Sequence, residues 1–149
     1  MRLLVSACLL GVCCRYDGAS KSDDNVLALV REHTLIPVCP EQLGGLPTPR
    51  CPCERQGGRV VSREGDDRTA AYARGAAEAL RLCRLFACGA AVLKARSPSC
   101  GSGTIYDGTF TGTLTGGDGV TAELFKREGI PVYTEQDLPF GKTGEAAEG

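Results

Sequence analysis

Histidine is nearly absent from this sequence, His33 being its single example. A mixed cysteine and histidine zinc site would rest on that one residue, and the Cys-x2-Cys pairs of zinc ribbons are missing as well. The Cys-x-x-Cys redox motif is also lacking, since the close pairs are Cys13-Cys14 and Cys51-Pro52-Cys53. There is no surplus of positive charge. Lys and Arg number 17 against 18 Asp and Glu, for a formal net charge of -1. That balance supplies no broad positive field for a phosphate backbone, so a nucleic-acid polymer is not an expected partner. Long apolar runs are missing too. The stretch from Val5 to Val12, with Ser6 inside it, falls far short of the roughly 20 residues that cross a bilayer. Met1-Arg2 leads at once into Leu3-Leu4-Val5 without the pattern of a secretion signal. The expectation is a cytoplasmic protein with no membrane partner.

What is present is cysteine. The chain of 149 residues carries nine: Cys8, Cys13, Cys14, Cys39, Cys51, Cys53, Cys83, Cys88 and Cys100. An odd count leaves at least one thiol outside any intrachain disulfide framework. A composition 42% hydrophobic and 23% charged, over one domain's length of chain, buries a core without such staples. In a reducing compartment the favoured uses of these thiols are then metal ligation or catalysis.

The hydrophobic pattern alternates strands with helices. Arg2 to Ala7 reads as a first strand, and Asp23-Asp24-Asn25 opens a helix of about three turns through Val30. Thr34 to Val38 is a second strand, followed by a Gly- and Pro-rich loop from Cys39 to Gly58 with no structure of its own. Val60 to Ser62 is a short strand, and an alanine-rich helix runs from Asp66 to about Phe86. Ala90 to Lys94 is the next strand, then a small-residue turn, Ser97 to Gly103. Tyr106 to Thr115 reads as a surface hairpin or loop, Val120 to Arg127 as a helix and Ile130 to Tyr133 as a last strand. The expected fold is a single compact α/β domain over residues 1–140, a mainly parallel, Rossmann-like sheet with helices on both faces. The polar small-residue tail, 141–149, is expected to be flexible.

In such sheets ligands bind just beyond the carboxyl ends of the strands. Cys8 follows the first strand, Cys39 the second, and Cys100 lies in the turn after Lys94, so three thiols from distant parts of the chain converge on one edge. Converging thiolates suit a soft metal centre such as an iron-sulfur cluster. Cys14, six residues after Cys8, is the reserve ligand. A free cysteine is by default a small buried hydrophobe, and Cys83 fits that role, sharing a helical face with Tyr72, Ala76, Ala79 and Leu80. Cys88 at the helix end also reads as packing, and lone His33 as a helix C-terminal cap. Glu41, two residues after Cys39 and stiffened by the prolines before it, is a general base, a solvated loop acid or a helix-capping acid. Ser97 and Ser99 bracket Pro98 before Cys100, where ordinary turn chemistry is the competing reading. Arg15, Asp17, Arg50 and Lys94 stand close enough in sequence to line a pocket.

Three segments carry a resemblance. They are Ser6-Ala7-Cys8-Leu9-Leu10-Gly11 running on to Cys14-Arg15-Tyr16-Asp17-Gly18; Pro37-Val38-Cys39-Pro40-Glu41 with Gly44-Gly45-Leu46 and Pro49-Arg50; and Leu93-Lys94 with Ser97-Pro98-Ser99-Cys100-Gly101. Together with Tyr106-Asp107-Gly108-Thr109-Phe110 and Gly119-Val120-Thr121-Ala122, they resemble the DUF523 family, which includes the 2-thiouracil desulfidases. The resemblance implies a 4Fe-4S cluster on three cysteines, falling on Cys8, Cys39 and Cys100, with one iron open to substrate sulfur. It places the acid/base glutamate on Glu41 and the catalytic serine on Ser97. The implied reaction is non-redox hydrolysis of a small thiolated substrate such as 2-thiouracil, by a monomer or small homo-oligomer. The competing class is a soft-metal, zinc-binding protein without turnover, and a third is a metal-free enzyme using one low-pKa thiol. Cys13, Cys51 and Cys53 stand where the family usually has other residues.

Overall fold

The computed structural model describes residues 1–139, so the tail expected over 141–149 lies outside the described residues. In chain order the elements are β1 (Arg2–Ser6), a 3-10 turn (Ala7–Leu10), α1 (Asp24–Ala28), a second 3-10 turn (Leu29–Arg31), β2 (Thr34–Val38) and α2 (Pro40–Leu43). They continue with β3 (Cys53–Gln56), β4 (Arg59–Ser62), α3 (Thr69–Leu85), β5 (Ala90–Leu93), β6 (Thr104–Tyr106), β7 (Leu114–Gly116), α4 (Val120–Arg127) and β8 (Val132–Thr134). Four of the strands form one parallel sheet in the order β2-β1-β5-β8. The remaining strands pair as two antiparallel hairpins, β3-β4 and β6-β7.

The alternation of side chains across the sheet builds two cores. Leu3, Val5, Ala90 and Val92 face one way, against Leu9 of the first 3-10 turn and Val26 and Leu29 of the α1 region. Leu4, Ala91 and Leu93 face the other way, against Ala79, Leu80 and Cys83 of α3 and Ala122 and Phe125 of α4. Every residue of β5 is buried, as a central parallel strand with both faces covered requires. The α/β layering with helices on both faces is the expected one.

Three local expectations are corrected. The helix opened by Asp23 is five α-helical residues plus a 3-10 turn, because Thr34 is drawn into the sheet: its N–H donates to the Met1 carbonyl at 3.0 Å. The 39–58 stretch holds α2 and β3 rather than a bare loop. Pro40 starts α2 at a position that needs no amide hydrogen, and Gly57-Gly58 closes the two-residue turn that pairs β3 with β4. His33 falls beyond the second 3-10 turn, whose cap is Glu32. Among the described residues no helix is long and apolar enough to cross a membrane.

Candidate active site

β1, β2 and β5 run parallel, so the segments that follow them open onto the same edge of the sheet. There they enclose a cavity of about 540 Å³. Cys8, Cys14, Cys39, Cys53 and Cys100 all line it, as do Glu41, Arg50, Lys94 and Ser97, whereas Cys51 does not. Cys83, in the core beneath α3, and exposed Cys13 do not contribute to that lining.

Each cysteine is delivered by a distinct device. Cys8 sits in the 3-10 turn that Gly11 closes in the left-handed region, at φ 97°. Cys14 is buried between Cys8 and Cys39 and interacts with both thiols. The Cys39 thiol pulls the Cys14 pKa down, but the contact with Cys8 and burial outweigh it and leave Cys14 at about 11. For Cys39 the contact with Cys14 and burial act together and raise the thiol far above its ordinary range.

Cys100 is held by the start of α4. The N–H groups of Val120 and Thr121 donate to the Pro98 and Ser99 carbonyls at 2.9 and 2.8 Å, and the Ser99 and Thr121 hydroxyls meet at 2.9 Å. A Cβ on Gly119 would overlap the Ser99 carbonyl and the Cys100 nitrogen, so only glycine allows this approach. The Ser6 hydroxyl receives the Lys94 N–H at 2.9 Å and donates to the Cys100 sulfur at 3.4 Å. Burial pushes Cys100 up to about 12 against the opposing pull of the Ser6 and Ser99 hydroxyls.

Glu41 is aimed rather than solvated. Arg50 donates from Nε to Glu41 Oε2 at 2.8 Å, and its Nη2 closes a buried ion pair with the same oxygen. Nη2 also donates to the Cys14 carbonyl at 3.0 Å, tying the glutamate to the thiol cluster. The helix α2 that carries Glu41 crosses α3 with backbones in contact at Gly44 and Gly75. A Cβ on Gly44 would overlap the Ala71 carbonyl, and one on Gly75 that of Pro40. Ser97 accepts the N–H groups of Ser99 and Cys100 at 3.1 and 3.0 Å, which leaves its own O–H to donate toward the cavity. Of the four flanking charges, Arg15, Arg50 and Lys94 line the cavity, whereas Asp17 pairs with Arg15 at 3.7 Å. Lys94 is fixed by Glu135 at 2.9 Å.

The donor set discriminates between metal centres. Among the described residues, no three Cys, His, Asp or Glu side chains approach closely enough to grip a single ion. Thiols spread around a cavity suit a cluster instead, in which each thiolate meets a different iron. The Ser6 hydroxyl directed at the Cys100 sulfur offsets part of the cost that burial sets on a thiolate there.

A family model described as 2-thiouracil desulfurase matches residues 3–137. The chain belongs to the 2-thiouracil desulfurase family. A solved member, a [4Fe-4S]-dependent thiouracil desulfidase named TudS, is 50% identical over 93% of each chain and superposes with a TM-score of 0.88. A Bacillus subtilis (strain 168) protein designated YbbK, itself uncharacterized, is 42% identical over 146 residues, covering 91% of this chain and 97% of that relative.

In this desulfurase family chain the supports of the site are mostly residues without a motif of their own. Ser6 carried a signal, as a polar residue directly after the apolar run Leu3-Leu4-Val5 of β1. Cys14 lies against both Cys8 and Cys39, a proximity that its spacing in the sequence does not show.

Proposed function

We propose that this chain is a 4Fe-4S-dependent, non-redox thiouracil desulfidase that converts a thiocarbonyl to a carbonyl and releases sulfide. One domain, residues 1–140, would carry the whole site. The observation that carries the reading is the convergence of five thiols, Cys53 among them, with Glu41 and Ser97 on a single cavity, joined to the family match over residues 3–137. Cys8, Cys39 and Cys100 would hold the cluster, since each follows a different strand of the sheet, and Cys14 packs between two of them.

A cluster on three protein thiolates supplies an open iron that acts as a Lewis acid toward the substrate's sulfur. The chain's own residues do the proton work. Arg50 occupies Glu41 Oε2, leaving Oε1 of this cavity-lining residue to take a proton from the water that attacks the thiocarbonyl carbon. Ser97, its oxygen already accepting two backbone N–H groups, donates its hydroxyl proton toward the departing sulfur or the ring. The balance is one water consumed, one C=S exchanged for C=O, and one hydrogen sulfide released. The substrate is a small thiolated molecule, with neither a nucleic-acid polymer nor a membrane required, and the reduced thiols fit a cytoplasmic site of action, as a monomer or small homo-oligomer.

Anaerobic purification and reconstitution test this directly. Brown protein with near-equal iron and acid-labile sulfide, forming uracil and sulfide from 2-thiouracil, is the expected result. Colourless protein with stoichiometric zinc and no turnover would favour the metal-binding alternative.

A further inference from the structure

The Tyr106–Phe110 segment has no part in the thiol cluster, yet Tyr106 and Phe110 line the same cavity. Phe110 holds a backbone conformation that aromatic residues rarely adopt, φ 58°. The strain is supported from outside the loop. Glu54 on β3 accepts two N–H groups on its Oε1, from Gly108 at 2.9 Å and from Phe110 at 3.1 Å. Gln56 donates to the Gly108 carbonyl at 2.9 Å. Gly108 itself lies so close to β3 that a Cβ would press on the Arg55 carbonyl at 2.9 Å, and its φ of 93° suits glycine alone. The loop is thus clamped to the β3-β4 hairpin at the one point where its backbone must turn Phe110. The Arg63 guanidinium, also at the cavity, stands 5.8 Å from the Phe110 ring centroid, so the ring is braced by a cation.

An aromatic ring held against its backbone preference, with a carboxylate dedicated to the loop that carries it, is placed for contact rather than for packing. We propose that Phe110 is the platform on which the planar pyrimidine ring of the substrate stacks, with Glu54 as the positioning residue that sets it. This rests on the desulfidase reading, because a planar thiolated base is the ligand such a face recognises. Stacking needs only a π-face, so it binds product and substrate alike and contributes to binding rather than to the chemical step.

The test uses anaerobically reconstituted enzyme, with kcat and KM for 2-thiouracil and the Kd of uracil by calorimetry. Uracil probes the ring without the sulfur. Phe110→Leu keeps an apolar side chain but removes the π-face, and should raise KM and the uracil Kd together by roughly 5- to 100-fold, with kcat within about threefold. Phe110→Tyr should restore both. Glu54→Ala should raise both by a smaller factor, and that factor should vanish in the Phe110→Leu background, as expected if Glu54 acts through the ring. A Phe110→Leu enzyme with full iron content and unchanged KM and uracil Kd overturns the proposal, as does loss of iron or a fall in kcat alone. Should the wild-type enzyme leave 2-thiouracil unconverted, the desulfidase reading fails and this inference with it. An active wild type with an indifferent Phe110→Leu variant sinks the stacking platform alone.

Discussion

The two ends of the parallel sheet hold cysteines that look alike one at a time. At the carboxyl edge are Cys8, Cys14, Cys39 and Cys100; near the amino edge, Cys83 and Cys88 end α3 and lead into β5. Burial pushes Cys83 up to about 11 and Cys100 up to about 12, so the tendency to stay protonated does not tell a ligand from a packing residue. Surroundings do. Cys83 packs among Ala79, Leu80 and Phe125, with the Cys88 carbonyl accepting from its thiol at 3.9 Å. Cys100 borders an open cavity and receives a hydroxyl donor on its sulfur. Chemistry is located here by convergence of thiols on shared space, and burial alone supplies only a core.

Alanine substitution should break that symmetry most severely. Cys8→Ala, Cys39→Ala or Cys100→Ala should each lose the cluster and all measurable turnover, while Cys83→Ala should retain full iron and cost about 1 kcal/mol of stability from lost packing. Iron and sulfide content with the absorption spectrum decides it. Retention of iron in Cys8→Ala and its loss in Cys14→Ala would move one ligand to Cys14.

Glu41→Gln separates assembly from chemistry at the same edge. The amide can still accept a bond from Arg50 but no longer takes a proton, so turnover should fall roughly 100-fold or more with the cluster spectrum intact. Ser97→Ala should act the same way more mildly, since water can replace a hydroxyl. Loss of the cluster in Glu41→Gln would make the glutamate structural.

A third substitution tests how the fold aims Glu41. Alanine in place of a glycine inside a helix ordinarily stabilises by about 1 kcal/mol. Gly75→Ala should instead destabilise by roughly 1–3 kcal/mol, because its methyl would meet the Pro40 carbonyl and push α2 off α3. Thermal melting reads the sign, and reduced turnover at retained iron would show that the displacement reaches Glu41.

These effects track what the sequence could disclose. Strand-end placement of Cys8, Cys39 and Cys100 was legible, because a parallel sheet brings the ends of its strands together whatever the details of the loops. The α2 element was hidden because it depends on Gly75, distant in sequence, whereas β3 had a local signal in the two-residue Gly57-Gly58 turn before β4, masked by the Gly and Pro content of the stretch around it. Ser6, Glu54 and the brace of Arg50 on Glu41 were hidden as α2 was. Ser6 and Glu54 are ordinary polar residues whose partners arrive from across the chain, and Arg50 meets Glu41 nine residues away only once α2 and the turn after it have folded.

The smallest expected effect is a dependence of stability on pH that should differ between the two ends. In the iron-free protein, Cys83 at about 11 and Cys100 at about 12 resist ionisation, whereas in the unfolded chain a thiol ionises near its ordinary 9.0. A raised folded pKa means that the contribution is complete below about pH 9 and is lost as pH rises from there toward 11 or 12. Denaturation midpoints of the iron-free protein should therefore be indifferent to these thiols between pH 7 and 8 and fall above 9. Cluster loading should shrink that fall, because a ligating Cys100 is already deprotonated in the folded state, and Cys83→Ala should remove a further part, with Cys14, Cys53, Cys88 and Tyr72, all raised in the folded protein, supplying the rest. An alkaline fall of the same size with and without iron would show that Cys100 keeps its proton in the loaded protein, and with it that the two ends of the sheet do not differ.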